Sequence, residues 1–416
     1  MHRTPTAPPT IRPTAKPTTR LAVALAAAGL VVAGCSGPSG DAGTFELWDP
    51  YPHFDASSEW AKVIDRCGEQ AGVKVVRQSY DTSDLTGKVL LAAQQGAAPE
   101  VLVVDNPVVS TLAEAGVLKS NQDSGLDASA AAPNLVAAAQ TGGQTYGVPL
   151  GANTLGLYYN KSVLTSAGVD PASITDWDSL DAALAKVTAA GRKGITFAAI
   201  GTEEGTFQFL PWFWGAGANL TNLASPEAEA ALSLWKSWLD KGYAPNTAIN
   251  NTQVVSWQEF ATGEYAFAEN GTWNMANAAK TGFEVGVLAI PGRRGGVAPA
   301  PTGGEFVTVP TQREGDTATA TKVASCLISP DNLLATDTAL TYVSAVPSVR
   351  DKQVAQNPGL RVWVDAVQAA KGRTGDGLGT RYPRISQPLW TAVQAALTGA
   401  KSPREALAEA AATAAK

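Results

Sequence analysis

The stretch that decides the fold is Tyr146–Lys161, which reads Tyr-Gly-Val-Pro-Leu-Gly-Ala-Asn-Thr-Leu-Gly-Leu-Tyr-Tyr-Asn-Lys. Its second half, Leu155–Tyr159, alternates apolar residues with other residues, which is the period of a β-strand. An apolar run at Val148–Leu150 reads as the end of an earlier strand, and Gly151–Asn153 forms a small, polar break between the two. A strand, a short break and a second strand are typical of a chain that leaves one domain and enters another. We therefore predict a hinge at this stretch, with a ligand site beside it.

Length and composition place the chain among globular proteins with more than one domain. A chain of 416 residues is too long for one ordinary core, so two domains are expected. A hydrophobic content of 45% with 16% charged residues is typical of a folded protein and not of a disordered one.

The N-terminal segment is predicted to be a lipoprotein leader. Residues 1–34 carry four basic residues and no acidic residue, and their apolar run at Leu21–Ala33 is too short to span a bilayer. Val32-Ala33-Gly34-Cys35 resembles the bacterial lipoprotein box, in which the cysteine is lipidated and becomes the new N-terminus. Residues 35–43 would then be a flexible tether to the outer face of the cell membrane. The alternative is an ordinary signal peptide with a chance cysteine.

Charge and cysteine content narrow the possible partners. Cleavage before Cys35 would change the formal net charge from −6 to −10, which disfavours nucleic acid as a ligand. Two cysteines, Cys67 and Cys326, would remain in oxidising surroundings. They could form a disulfide or stay as two buried thiols.

The residues before the hinge alternate between strand and helix patterns. Predicted strands at 44–48, 73–80 and 100–104 are separated by helical patterns, which indicates an α/β fold with a mostly parallel sheet. Asp49, Asp81 and Asp105 each follow one of these strands, at the edge where open α/β sheets bind ligands.

The same alternation restarts after the hinge. We predict a helix at Trp177–Ala190, with Thr175 and Asp178 as a capping box. We predict an aromatic turn at Pro211–Gly217, and a strand at Glu305–Val309 that returns the chain to the first lobe.

Several motifs together resemble extracellular solute-binding proteins of bacterial carbohydrate ABC importers, of the maltose-binding type (family 1). They occur in the family's order and cover nearly all of the chain after residue 45. They are Tyr146–Pro149, Leu157–Lys161, Ala167-Gly168, Thr175–Leu180, Phe267–Trp273, Gly303–Phe306 with Val309-Pro310, and Ser402–Leu407.

The resemblance implies a two-lobed, periplasmic-binding-protein-like α/β fold whose lobes are joined by hinge strands. Lobe 1 would be residues 44–152 and 300–346, and lobe 2 residues 153–299 and 347–416. It implies a monomer without catalysis, cofactor or metal site, which binds a carbohydrate between the lobes and delivers it to permease subunits and their ATPase. It also places the helices of Cys67 and Cys326 in the first lobe, which favours the disulfide.

A sugar site needs oxygen acceptors, charged donors and aromatic planes, and the sequence offers such groups at predicted strand ends and in loops. Trp273 follows the family's Gly-x-Trp pattern, where the tryptophan commonly serves as a stacking platform. Glu204 belongs to the pair Glu203-Glu204 before the aromatic segment, and Arg381 lies in a glycine-rich loop. The predicted ligand-binding residues are Trp48, Asp49, Asp81, Asp105, Asn106, Asn153, Glu204, Trp212, Trp214, Trp273, Glu305, Trp363 and Arg381.

Two other functions stay open at this point. One is a binding protein for another solute, such as a polyamine, which suits the acidic charge, or a peptide. The other is an extracellular glycoside hydrolase, because paired carboxylates and aromatic residues also build such sites. No carboxylate pair stands out in the sequence, which disfavours the hydrolase.

Overall fold

The computed structural model of the chain describes residues 44–311, 317–375 and 377–416, without the side chains of residues 82 and 83. The predicted leader 1–34, the tether 35–43 and the lipidation site Cys35 lie outside the described residues, and therefore stay predictions.

The described residues form an α/β fold. The strands are β1 Phe45–Asp49, β2 Val75–Ser79, β3 Val101–Asp105, β4 Gln140–Thr141, β5 Gln144–Thr145, β6 Val148–Pro149, β7 Leu155–Asn160, β8 Lys193–Thr196, β9 Tyr265–Gly271, β10 Val285–Leu288 and β11 Glu305–Thr308. The helices are α1 Glu59–Ala71, α2 Thr82–Gln94, α3 Asn106–Glu114, α4 Asn121–Ser124, α5 Pro133–Val136, α6 Lys161–Ser166, α7 Trp177–Ala189, α8 Glu203–Gly215, α9 Pro226–Asp240, α10 Gln253–Ala261, α11 Met275–Ala278, α12 Thr317–Leu327, α13 Pro330–Leu340, α14 Pro347–Gln356, α15 Arg361–Ala369, α16 Tyr382–Leu397 and α17 Pro403–Ala414.

The first sheet has the order β2-β1-β3-β11-β6. Strands β1, β2 and β3 run parallel, and β11 runs antiparallel to β3 and β6. Alternate side chains of each strand point to opposite faces of this sheet, and helices cover both faces. Val101 and Val103 pack with α1, α12 and α13, whereas Leu102 and Val104 pack with α2 and α3.

The second sheet has the order β10-β7-β9-β8, with β8 and β9 parallel and β7 antiparallel to β9. All seven residues of β9 are buried. Leu157 of β7 packs into the core formed with α7, α8 and α9, while Tyr158 points to the other face, towards α10 and α15.

The stretch Tyr146–Lys161 connects the two sheets, which confirms the predicted strand, break and strand. Strand β6 belongs to the first sheet and β7 to the second. Between them, Ala152 pairs with Val343 and Asn153 pairs with Gly303, so three chain segments run side by side at this crossing. The return of the chain to the first sheet through β11 is also as predicted.

Two local predictions were wrong. The capping box of α7 is formed by Asp176 and Ser179, since the Asp176 carboxylate accepts from the Ser179 backbone N–H at 2.8 Å. The predicted aromatic turn is part of α8, with Pro211 inside the helix. Every residue from Gly205 to Trp214 is buried there, so packing under the second sheet outweighs the local cost of the proline.

The predicted disulfide is confirmed. Cys67 of α1 and Cys326 of α12 are bonded, with their Cα atoms 5.5 Å apart, over one face of the first sheet. Within the residues that the structure describes, none of the helices has both the length and the apolar character that crossing a membrane would take.

Candidate functional site

Three acidic residues meet at one edge of the first sheet. Asp49 and Asp105 end the parallel strands β1 and β3, and Glu305 begins the antiparallel strand β11, so all three lie at the same edge. Glu305 is the direct register partner of Asp105. The structure therefore brings together two residues, Asp105 and Glu305, that were predicted from separate parts of the sequence.

Glu305 is held by two tyrosines in a nearly buried position. Its carboxylate accepts a hydrogen bond from the Tyr51 hydroxyl at 2.8 Å and another from the Tyr342 hydroxyl. Burial and, as a smaller effect, the negative charge of Asp105 raise the pKa of Glu305 to about 7. The two tyrosine hydrogen bonds lower this pKa but do not cancel the increase. This carboxyl therefore exists in both protonation states near neutral pH, and can donate as well as accept a hydrogen bond.

Arg373 connects the acidic edge of the first sheet to the start of α8. Its guanidinium lies 2.9 Å from the Glu203 carboxylate and 3.5 Å from the Asp105 carboxylate. The group is only 5% exposed, sits 4.9 Å above the ring centre of Phe207, and leaves its Nε–H without a hydrogen-bond partner. Glu203 also accepts from the Tyr382 hydroxyl at 2.6 Å.

An aromatic wall lies at the carboxyl end of β9. Trp273 follows Gly271, and its ring occupies the space that a side chain at residue 271 would fill, since a Cβ there would come within 2.2 Å of the ring. Glycine is therefore required for this placement of the indole. The Trp273 ring centre is 6.3 Å from that of Phe207, and Trp273 remains partly exposed. The Trp273 side of this wall is thus partly open to solvent, and its role as a stacking platform stays a prediction.

Three of the predicted site residues are too buried to contact a ligand. Trp212 is fully buried, and its indole N–H donates to Glu269 at 2.8 Å in the core of the second sheet. Trp363 is 1% exposed and packs on Tyr158. Asp49 is fully buried and paired with a guanidinium from β2, so its charge is already neutralised within the first sheet. None of these side chains offers a free surface to a ligand in this conformation.

Four further predicted residues make structural contacts instead. The Asn106 amide donates to the Thr302 carbonyl at 2.7 Å, and the Asn153 side chain packs against Gly303. Glu204 accepts from the backbone N–H of residue 253, at the start of α10. The indole N–H of Trp48 donates to the Glu46 carboxylate at 2.9 Å. Asn106, whose side-chain oxygen also accepts from the Arg373 guanidinium at 3.4 Å, therefore joins the site to the crossing segment. Asn153 supports the crossing, Glu204 supports α10, and Trp48 has no free donor.

The remaining three predicted residues lie at the margin of the site or away from it. Trp214 is 6% exposed, with the Lys371 ammonium 5.8 Å from its ring centre. Asp81 is exposed and precedes α2 without capping it through its side chain. Arg381 is exposed and donates to the Gly377 carbonyl at 2.7 Å.

Several residues of the site were missed. Arg373, rather than Arg381, is the arginine that reaches the acidic edge, and Glu203, rather than Glu204, is its partner. Both pairs of alternatives are close in sequence, and no local pattern separates them. Phe207, Tyr51 and Tyr342 were also missed, although Tyr51 lies in the loop after β1, where a ligand contact is expected. Among the described residues, no group of three or more His, Cys, Asp or Glu is arranged to hold a metal ion.

The family model for bacterial extracellular solute-binding proteins matches residues 62–362. The chain belongs to this family. The predicted family is thereby confirmed, and the family consists of solute-binding proteins and not of enzymes.

Individual relatives match parts of the sequence or the whole fold. A putative binding protein of Brucella abortus (strain 2308) is 35% identical over 160 residues, which cover 36% of this chain and 38% of the relative. A maltooligosaccharide ABC transporter solute-binding lipoprotein of Streptococcus pneumoniae (strain ATCC BAA-255 / R6) is 27% identical over 247 residues, 56% of each chain. The chain therefore spans only about two fifths to just over half of the length of these curated relatives.

A solved structure matches nearly the full length of the chain. The cyclic alpha-maltosyl-1,6-maltose binding protein of Arthrobacter globiformis superposes with a TM-score of 0.76 at 23% identity, over 89% of this chain and 98% of its own. At this identity the likeness concerns the fold, and it confirms the predicted two-lobed architecture.

Proposed function

We propose that the chain is a lipid-anchored extracytoplasmic receptor that binds a mono- or oligosaccharide between its two lobes and delivers it to an ABC importer. The observation that carries this proposal is the meeting of Asp105, Glu305, Glu203 and Arg373 beside the aromatic wall of Trp273 and Phe207. The maltooligosaccharide receptor and the cyclic maltosyl-maltose binding protein named above make carbohydrate the first ligand class to test.

The chemistry of this site suits a polyol. Carboxylates and a guanidinium form short, charge-assisted hydrogen bonds with sugar hydroxyls, and an indole face packs against the apolar face of a sugar ring. Three carboxyl groups against one guanidinium give the site an excess of negative charge. A strongly anionic solute is therefore disfavoured.

Two alternatives keep a specific observation in their favour. The same excess of negative charge would suit a polyamine, or a peptide with a cationic end. The register pair Asp105 and Glu305 is a carboxylate pair of the kind a glycoside hydrolase needs, although Arg373 and the two tyrosines already occupy both groups. The receptor is favoured over the hydrolase because the family consists of solute-binding proteins.

The predicted anchoring and delivery follow from the same proposal. Lipidation of Cys35 would hold the protein on the outer face of the membrane as a monomer, with permease subunits and an ATPase as partners. Membrane fractions of cells that express the full chain should contain it, and the Cys35→Ala variant should be released. Equal membrane retention of both would refute the lipid anchor.

A ligand panel tests the function. Melting temperature and tryptophan fluorescence are measured with mono- and oligosaccharides, spermidine and short peptides, because a ligand that binds only the folded state raises its stability. At least one sugar should stabilise the protein, and Trp273→Ala should abolish that effect. The matched control is Tyr243→Ala, a partly exposed aromatic residue at the opposite edge of the second sheet.

Three outcomes would overturn the proposal. Stabilisation by spermidine with no response to any sugar would favour the polyamine receptor, and a response to peptides alone would favour the peptide receptor. Release of reducing ends from an oligosaccharide would favour the hydrolase.

A further inference from the structure

A cavity of about 630 Å³ adjoins Trp273 beside the second sheet. Helix α10 forms one of its walls, and the segment from Trp273 to Gly282, which contains α11, forms the other. A volume of this size is within the range of small-molecule sites. Trp273 also belongs to the aromatic wall of the candidate site, so a ligand that is bound there can continue into this cavity.

Two indole rings line the cavity. Trp273 is partly exposed, and Trp257 of α10 is 8% exposed. The Trp257 ring packs against Tyr158, with 5.1 Å between the ring centres, and against Phe260, with 5.5 Å between the ring centres. Trp257 is thus already fixed in its orientation, and it loses little side-chain entropy when a ligand packs against its exposed part.

Most of the polar groups on the cavity wall are neutral amides. The side chains of Gln253, Gln258 and Lys280 line the cavity and have no hydrogen-bond or ion-pair partner among the described residues. The Asn277 amide nitrogen donates to the Asn274 side chain at 2.9 Å, which leaves the Asn277 oxygen as an acceptor. A side-chain amide can both donate and accept a hydrogen bond, as a sugar hydroxyl group does, so these groups match one another.

The charge of the cavity differs from that of the acidic edge of the first sheet. Among the described residues that line it there is no aspartate or glutamate, and Lys280 is the one ionisable side chain. A polyamine would therefore find no counter-charge in this cavity. Indole faces beside neutral amides suit a neutral sugar ring, because its C–H face packs on an indole and its hydroxyl groups exchange hydrogen bonds with the amides.

We propose that this cavity binds the neutral sugar units that follow the unit held at the candidate site, so that the ligand of this protein is an oligosaccharide and not a monosaccharide. The inference rests on the proposed function and narrows its ligand class. Trp273 contacts the sugar unit at the junction of the two regions, and Trp257 and Gln258 contact the next unit. A unit that packs on an indole and exchanges a hydrogen bond with an amide should increase the affinity by about tenfold.

A series of sugars of increasing length tests the ligand class. Calorimetry measures the affinity of the mature protein for glucose, maltose, maltotriose and maltotetraose, and for the β-linked series from cellobiose to cellotetraose. In at least one series the affinity should rise by about tenfold or more between the shortest sugar that binds and the sugar with one or two more units. Equal affinities within each series, or binding of glucose alone, would overturn this inference and leave the proposed sugar receptor standing. Binding of no sugar at any length would overturn both.

A variant that fills the cavity locates the added units. Ala261 is an exposed alanine at the end of α10 that lines the cavity, and Ala261→Trp places a bulky side chain there. This variant should keep the affinity for the shortest sugar that binds and lose most of the gain with length. The control Ala182→Trp changes an exposed alanine of α7 away from the cavity, and should behave as the wild type. An unchanged gain with length in Ala261→Trp would place the added units elsewhere and overturn the inference.

A second variant tests the amide contact without filling the cavity. Gln258→Ala removes an exposed side chain and should weaken binding of the longer sugar by about threefold, with no change for the shortest one. The matched control Gln122→Ala removes an exposed glutamine of α4 and should change neither affinity. An equal loss for short and long sugars in Gln258→Ala would contradict a contact with the added units. Circular dichroism of each variant verifies that it is folded.

Discussion

Replacing Glu305 by glutamine should remove the pH dependence of stability that ionisation of this carboxyl creates. Glu305 has a pKa of about 7 in the folded protein and an ordinary value of 4.5 when unfolded, because burial and the charge of Asp105 disfavour its ionised form. Between these two values the folded state binds more protons than the unfolded state. The stability that Glu305 contributes is therefore fully present below pH 4.5 and is lost as the pH rises from 4.5 through about 7.

The size of the effect follows from the separation of the two pKa values. Between pH 5 and pH 8, ionisation of Glu305 should lower the free energy of unfolding by about 2.5 kcal/mol. Glutamine cannot ionise and retains an acceptor for one of the tyrosine hydroxyls. Between pH 5 and pH 8, the free energy of unfolding of the Glu305→Gln variant should therefore decrease by about 2.5 kcal/mol less than that of the wild type.

Urea denaturation at pH 5, 6, 7 and 8 measures this difference. Glu269 and Asp337, two buried acids whose pKa is also raised, change stability in the same direction, but they are present in both proteins and cancel in the comparison. Asp105 does not cancel, because its charge and that of Glu305 repel each other; its raised pKa is lowered when Glu305 cannot ionise, which adds to the difference in the same direction. Glu69→Gln is the control, because Glu69 is an exposed glutamate of α1 in the same lobe. Its pH profile should match that of the wild type.

Parallel pH profiles for the wild type and Glu305→Gln would refute the reasoning. They would mean that the carboxyl is as easily ionised in the folded protein as in water, and hence that the two tyrosine hydrogen bonds outweigh burial.

Three further predictions concern the site and the first lobe. Trp273→Ala should lower the affinity for the sugar identified by the panel by about tenfold or more, and Gly271→Ala should act in the same direction by displacing the ring; unchanged isothermal affinities would contradict a stacking role. Arg373→Met should destabilise the protein by about 1–3 kcal/mol in urea, because it leaves two partly exposed carboxylates without their guanidinium partner; a neutral result would mean that the pairing is offset by its desolvation cost. Replacing Cys67 and Cys326 together by serine should cost about 2–5 kcal/mol with unchanged ligand affinity, since the bond lies within one lobe and is separated by 259 residues in sequence; a loss of affinity would show that it also affects the cleft.

Local features of the fold were predictable because short-range chemistry produces them. Ser225 directly before Pro226 is a local signal for a helix start, and its hydroxyl accepts from the Ala228 N–H at 3.1 Å at the start of α9. The predicted strands at the crossing are likewise confirmed, since a two-residue period in a buried strand depends only on neighbouring residues. The capping box of α7 was displaced by one residue, because Thr175 and Asp176 both have side chains that can cap and only the helix geometry selects one.

Tryptophan content was a poor guide to the aromatic wall of the candidate site. Of the tryptophans predicted for the site, Trp212 and Trp363 proved to be core residues, while Trp273 is partly exposed at the strand end. An indole serves equally well in a core and in a binding wall, so its type does not distinguish the two roles. A glycine beneath the ring does not distinguish them either, because Gly271 makes room for the Trp273 ring and Gly156 does the same for the buried Trp363 ring.

The amino-acid sequence by itself determined the α/β class, the crossing at Tyr146–Lys161, the family, and the placement of acidic residues at strand ends, since each of these depends on local pattern and order along the chain. Only the tertiary structure decided which charged groups meet. Arg373 reaches Asp105 and Glu203 from positions 268 and 170 residues away in sequence, whereas the nearby Arg381 points to its own loop. Such a meeting is set by how helices and sheets pack in space, and the burial that raises the pKa of Glu305 to about 7 arises only when that packing is complete.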